Sequence, residues 1–124
     1  MKVIVADDSR VMRQIVIRTL RQAGFGGWDI VEAVDGADAL DKVSAEDPDL
    51  VLSDWNMPNM TGIELLRSLR SAGNEVSFAF VTSEGSAEMR TIAADAGALG
   101  LIAKPFTPDS FSDIVELWTQ VNAR

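Results

Sequence analysis

Short apolar runs alternate with stripes of helical spacing along the whole chain. Lys2-Val-Ile-Val-Ala6 is continuous and β-branched, which predicts a strand buried on both faces. Ser9 is placed to cap a helix over Arg10–Ala23, where Met12, Ile15, Val16, Thr19, Leu20 and Ala23 share one face and Gly24, Gly26 and Gly27 bring it to an end. Trp28–Ala33 predicts a second strand and Gly36–Ser44 a short helix with Ala39, Leu40 and Val43 inward. Pro48 breaks the chain before a third strand, Leu50–Asp54, and a turn-rich loop runs from Asn56 to Gly62. Then come a helix over Ile63–Ser71, a strand over Val76–Thr82, a helix over Ser86–Ala96 and a short strand, Gly100–Ala103. Thr107 is placed to cap the last helix, with Pro108 at its first position, where the missing N–H costs nothing. Phe111, Ile114, Val115, Trp118 and Val121 form its apolar face.

Five strands alternating with five helices predict an α/β domain: a parallel sheet, doubly wound, with helices on both faces. The 124 residues fit one domain spanning 1–124, and no repeat, linker or output domain is expected. With 47% hydrophobic residues the chain can build a core. No apolar run has the length of a membrane span and no signal peptide precedes the first strand, so a cytoplasmic protein with no membrane partner is expected.

Two absences narrow the chemistry. Without Cys there are no disulfides or thiolate metal sites; without His there is no Ser-His-Asp triad, no His-zinc site and no phosphohistidine carrier. Chemistry at neutral pH then falls to carboxylates, hydroxyls and Lys, with or without a hard cation. The formal charge of −8 argues against nucleic acid as a partner.

In doubly wound sheets, ligands bind beyond the carboxyl ends of the strands, at the switch point of strand order. Here the first strand ends in Asp7-Asp8, the third in Asp54, the fourth in Thr82-Ser83 and the fifth in Lys104-Pro105. Each has an ordinary reading alone: Asp8 as a helix cap, Asp54 as a turn opener, Thr82 as a strand residue, Lys104 as a solvated side chain. Their joint placement at one edge is what points to function. Strands one and three are neighbours in the five-stranded doubly wound order, so Asp7, Asp8 and Asp54 should converge. Two carboxylates about 4 Å apart repel by roughly 4 kcal/mol at an effective dielectric near 20, a cost that a hard divalent ion offsets. Mg²⁺ (or Mn²⁺) would take two carboxylates, a backbone carbonyl for which Asn56 is well placed, and waters.

These motifs resemble the receiver domain of two-component response regulators, above all its single-domain, CheY-like members. The resemblance rests on Asp7-Asp8, on Asp54-Trp-Asn-Met-Pro-Asn-Met-Thr-Gly62, on Thr82-Ser83-Glu84 and on Lys104-Pro105-Phe106, and it covers essentially the whole chain. It implies a flavodoxin-like (βα)5 fold with strand order 2-1-3-4-5. It also implies that Asp54 accepts a phosphoryl group from phosphohistidine, on a sensor histidine kinase or a histidine phosphotransfer protein. Asp8, Asp54 and the Asn56 carbonyl would bind the ion directly, and Asp7 through water. Thr82 would move to meet the phosphoryl group, Lys104 would pair with one of its oxygens through a bond to Pro105 expected to be cis, and Asn56 and Glu84 would tune hydrolysis. The protein would act as a switch rather than an enzyme with a separate substrate, a monomer that offers the face of its fourth helix, fifth strand and fifth helix to a protein target.

Leu101 departs from the family pattern. Three residues before the Lys, the family usually carries an aromatic residue, often Tyr, and this chain has no Tyr. Phosphorylation should tolerate the change, whereas readout through a swinging ring should not. A donor-docking surface is also expected on the first helix, where Arg10, Arg13, Gln14, Ile17 and Arg21 share an outward face as a basic rim around an exposed Ile.

Other readings stay open. One is a Mg²⁺-dependent phosphate-ester hydrolase of the haloacid dehalogenase type, although its two Asp are separated by one residue after the first strand and here the pair is adjacent. A nucleotide or flavin binder needs a phosphate cradle after the first strand, which Asp7-Asp8 would repel. An unphosphorylated interaction module of the same shape is the third.

Overall fold

The computed structural model describes residues 1–122. Its elements are β1 (Lys2–Ala6), α1 (Arg10–Leu20), β2 (Asp29–Ala33), α2 (Gly36–Glu46), β3 (Leu50–Ser53), α3 (Gly62–Ser71), β4 (Ser77–Thr82), α4 (Ala87–Asp95), β5 (Gly100–Ala103) and α5 (Pro108–Asn122). All strand pairs are parallel and the sheet order is β2-β1-β3-β4-β5, as the family resemblance implied.

The continuous apolar runs exist because the central strands are covered twice. Side chains alternate across a strand, so β1 sends Ile4 and Ala6 to one face and Val3 and Val5 to the other. On the first face Val51, Phe78 and Phe80 join them under Ala39 and Val43 of α2, Leu65, Leu66 and Leu69 of α3, and Ala93 of α4. On the second, Leu50, Leu52, Ala79, Val81 and Ile102 meet Val16, Ile17 and Leu20 of α1 and Phe111 and Ile114 of α5. Helices 1 and 5 therefore cover one side and helices 2, 3 and 4 the other.

Two expectations about faces need correction. On α1, Ile15 is 36% exposed whereas Ile17 is 8% exposed, the reverse of the sequence reading. The inward stripe is Arg13, Val16, Ile17 and Leu20, which is the i, i+3, i+4, i+7 spacing of a helix face. A charged residue holds the first place in that stripe, so an apolar count shifts the face by one position. On α5, Phe111 and Ile114 are buried but Val121 is 61% exposed, so the apolar face is covered only over the first half of the helix. Trp118 is half-buried and its indole N–H donates to the Asp49 carbonyl at 3.0 Å.

Element ends differ by a few residues. The first helix leaves α geometry at Leu20 and continues as a π-helical turn over Arg21–Phe25, with Gly24 at φ 99°. Trp28 precedes β2 instead of opening it, stacked on Phe25 with ring centroids 4.3 Å apart. Ser9, Asp35, Thr61 and Ser86 cap α1 to α4 through side-chain oxygens that accept backbone N–H groups. At the start of α5 the expected cap is altered: the Ser110 hydroxyl accepts the Thr107 N–H at 3.1 Å.

Candidate functional site

The register of the central strands assembles the site. Ala6 pairs with Ser53, so the next residue on each strand, Asp7 and Asp54, emerges side by side at the sheet edge. The Asp54 N–H donates to the Ala6 carbonyl at 2.9 Å, and the Asp7 N–H to the Ala33 carbonyl of β2 at 3.1 Å. Asp7, Asp8 and Asp54 each offer a carboxylate oxygen, and these oxygens lie within 4.8 Å of one another. They grade outward: Asp7 is buried, Asp54 half-buried and Asp8 exposed.

The β5 end supplies the counter-charge. Lys104 Nζ lies 3.4 Å from Asp7 Oδ2 and 3.9 Å from Asp54 Oδ2. Its backbone N–H donates to the Thr82 carbonyl at 2.8 Å, which joins the ends of β4 and β5, and the Lys104–Pro105 bond is cis, as expected. Burial pushes the Asp54 carboxyl above its ordinary value; Lys104 opposes the rise, Asp7 adds to it, the Trp55 N–H at Asp54 Oδ1 opposes it, and Asp8 adds a smaller push.

Other predicted residues are spread around this centre. Thr82 is wholly buried, with its hydroxyl accepting the Glu84 N–H at 3.3 Å. Glu84 and Asn56 lie exposed on the two loops that flank the crevice. Leu101 is 8% exposed and packs on the side of the sheet covered by α2, α3 and α4. Gly62 opens α3 hard against the site: a Cβ there would overlap the Asp54 carbonyl and meet Phe80 at 2.9 Å. Trp55 packs on Phe80 with the rings tilted by 37° and their centroids 4.6 Å apart, part of the same wall.

The expected docking rim divides. Arg10, Gln14 and Arg21 are exposed. Arg13 and Ile17 are both 8% exposed, because the helix turns that edge inward, and neither presents a surface to a partner. The apolar residues that do face outward there are Val11, 68% exposed, and Ile15. Met12 and Ile15 line a groove of about 450 Å³ with Lys104, Pro105 and Phe106, beside the carboxylates. The sequence reading missed this groove, since it joins the first helix to the segment that follows the last strand. It also missed that Arg13 donates through Nη1 to the Asp7 carbonyl at 2.7 Å.

The donor set suits a hard divalent cation. All of it is oxygen, it is carboxylate-rich, and it opens to water on the Asp8 side. At 4.8 Å two such charges repel by about 3.5 kcal/mol at an effective dielectric of 20, and one ammonium offsets that only in part.

An acidic crevice at the carboxyl ends of β1 and β3, closed by a lysine that follows β5, is the site that this doubly wound α/β fold presents. The family model of the response regulator receiver domain matches residues 3–116, and the chain belongs to that family. A chemotaxis protein CheY1 of Helicobacter pylori is 37% identical over 120 residues, covering 94% of this chain and 95% of the relative. A chemotaxis protein CheY of Pseudomonas aeruginosa is 37% identical over 125 residues, covering 98% and 99%. Among solved structures, chemotaxis protein CheY4 of Vibrio cholerae superposes with TM-score 0.80 at 34% identity, over 93% of this chain and 95% of that one. The receiver domain of a Francisella response regulator gives TM-score 0.86 at 27% identity, with 98% of each chain covered. No helix among the described residues is long and apolar enough to cross a membrane.

Proposed function

We propose that this chain is a single-domain phospho-accepting switch, with Asp54 as the acceptor. The carrying observation is the cluster itself: carboxylate oxygens of Asp7, Asp8 and Asp54 within 4.8 Å, with Lys104 Nζ 3.4 Å from Asp7 and 3.9 Å from Asp54. The donor is a phosphohistidine on a sensor kinase or a histidine phosphotransfer protein. A carboxylate oxygen of Asp54 attacks phosphorus, the P–N bond breaks and the imidazole leaves with the bonding pair. Asp8, Asp54 and the Asn56 carbonyl are the residues that would hold Mg²⁺ directly, with Asp7 acting through water; the bound ion supplies charge neutralisation for the transferred oxygens.

Lys104 is poised to trade its contact with Asp7 for an oxygen of the new acyl phosphate. Thr82, buried beside the crevice, supplies a hydroxyl that closes on that group. Asn56 and Glu84, exposed on the flanking loops, set how readily water reaches the anhydride. Net closure then shifts α4, β5 and α5 as the surface for a protein target, with Leu101 repacking where relatives of the family carry a ring. Driving such an equilibrium from mostly off to mostly on takes about 5 kcal/mol of preference, within reach of one charge-assisted pair plus the ion's contacts. The donor docks over the outer face of α1, a reading supported by the apolar groove of Met12, Ile15, Pro105 and Phe106 on one flank of that helix and by the exposure of Arg10, Gln14 and Arg21.

The test is incubation with Mg²⁺ and acetyl phosphate, followed by intact mass. One added phosphoryl group, absent in Asp54→Ala and absent with chelator, is expected. Continuous hydrolysis of a phosphate ester without any adduct would instead make the protein a hydrolase and end this reading.

A further inference from the structure

Arg13 is the one charged side chain in the inward stripe of α1, and 8% of it is exposed. Its guanidinium forks. Nη1 donates to the Asp7 carbonyl at 2.7 Å, and Nε donates to Glu32 Oε1 at 2.9 Å. Glu32 stands on β2 opposite Val5, and Gln14 Nε2 approaches the same oxygen at 3.3 Å. The result is a bracket that runs from β2 through α1 to the peptide joining Asp7 and Asp8.

We propose that Arg13 is a positioning residue that sets the cation affinity of the acidic crevice by fixing the plane of the Asp7–Asp8 peptide. A planar peptide held at its carbonyl oxygen also fixes the direction in which the next Cα, that of Asp8, leaves it. Every other polar atom of Asp7 is tied as well: its N–H to the Ala33 carbonyl, Oδ1 to the Ser9 N–H at 2.8 Å, and Oδ2 to Lys104. Of these ties, the one from Arg13 is the only one that comes from a side chain outside the crevice. A guanidinium fork can serve two acceptors at fixed geometry, whereas an ammonium of similar reach is a point donor that cannot span both. Outer residues that orient ligands in this way typically change metal affinity by 10- to 100-fold.

The sign of the effect separates this role from simple charge. Arg13 is a cation bonded to the main chain of the acidic cluster, so deleting its charge alone should tighten binding of another cation. Deleting a positioning bracket should loosen it. The inference rests on the ion site proposed above, and the experiment keeps the two apart. Mg²⁺ is titrated at constant ionic strength into the wild type, Arg13→Met, Arg13→Lys and Arg70→Met, with tryptophan fluorescence as the readout and thermal unfolding recorded alongside. Arg70 donates to the carbonyls of Asn74 and Gly97, away from the crevice, and serves as the control for general loosening.

The expected result is binding about 10-fold weaker in Arg13→Met and several-fold weaker in Arg13→Lys, with Arg70→Met at wild-type affinity despite a lower melting temperature. Equal or tighter binding in Arg13→Met overturns the proposal, as does an equal loss in Arg70→Met. Should Arg13→Met not fold, wild-type affinity in Arg13→Lys overturns it alone. A wild type with no saturable Mg²⁺ response removes the ion site and this inference together; a normal wild type with unaffected Arg13 variants removes only the inference.

Discussion

The ammonium of Lys104 lies closer to Asp7, at 3.4 Å, than to Asp54, at 3.9 Å. Asp7 therefore holds the lysine beside Asp54 while leaving the Asp54 carboxylate less than fully neutralised. Replacing Lys104 by Met removes the counter-charge that the transferred group would meet. Phosphorylation of Lys104→Met by acetyl phosphate should slow by about 100-fold, as for loss of one preorganised donor to a developing oxyanion. Initial rates of adduct formation by intact mass, at saturating Mg²⁺, give the answer.

The raised Asp54 carboxyl predicts how stability depends on pH in the metal-free protein. A carboxyl whose folded value lies above its unfolded one binds protons more tightly when folded, so its contribution is complete at low pH and declines as pH climbs through the raised value. Asp54→Asn removes that decline. Asp38, held below its ordinary value by the Val34 N–H, has the opposite sign but is common to both proteins and cancels in the difference. Urea unfolding in EDTA, from about pH 4 to about pH 7, should show the gain of Asp54→Asn over wild type growing with pH. A constant difference would contradict the assignment.

Ile15 and Ile17, two residues apart on α1, should behave as opposites. Ile15→Asp places a charge on an outer face and should change stability by less than about 0.5 kcal/mol. Ile17→Asp puts an unpaired charge among Val16, Leu20 and the strands, and a loss of more than about 3 kcal/mol is expected, enough to threaten folding. Only Ile15→Asp can then report on donor docking, and it should slow transfer from a phosphohistidine protein while leaving acetyl phosphate labelling near wild type.

Gly62→Ala is a one-methyl test of the wall behind Asp54. Its Cβ would overlap the Asp54 carbonyl, and that neighbour is backbone. A loss of about 1 to 3 kcal/mol is expected from overpacking alone, read by chemical denaturation. Because the shift falls on Asp54 itself, Mg²⁺ affinity should weaken as well.

Thr82→Ala should separate acceptance from response. The hydroxyl holds the Glu84 N–H within a fully buried position but makes no contact that acceptance itself needs. The adduct should still form. The difference in hydrogen-exchange protection of α4 and β5 between the phosphorylated and free states should shrink.

Most of this architecture is readable from the chain, for a physical reason. Strands covered on both sides must be apolar throughout, and helices covered on one side must be striped, so the two periods separate β1 from α1 without further information. Placing Asp7, Asp8 and Asp54 together needed only the strand order, and that came from family resemblance. The failures are equally specific. Arg13 occupies a core position because its charge is satisfied by Glu32 and the Asp7 carbonyl, partners distant in sequence or on the main chain, so a pattern reader assigns it to the surface and rotates the helix. The groove between Met12 and Phe106 arises from two ends of the chain meeting in space, which no local period encodes.

Gly62 and the tilted Trp55–Phe80 pair leave no spare room on the α3 side of Asp54, whereas Ser83, Glu84, Gly85 and Ser86 form an exposed stretch on the α4 side. In the proposed switch, a group added to Asp54 would meet backbone on the first flank and a solvent-facing loop on the second. That asymmetry of the resting packing assigns the α4 flank, under the same proposal, to a partner that reads the change.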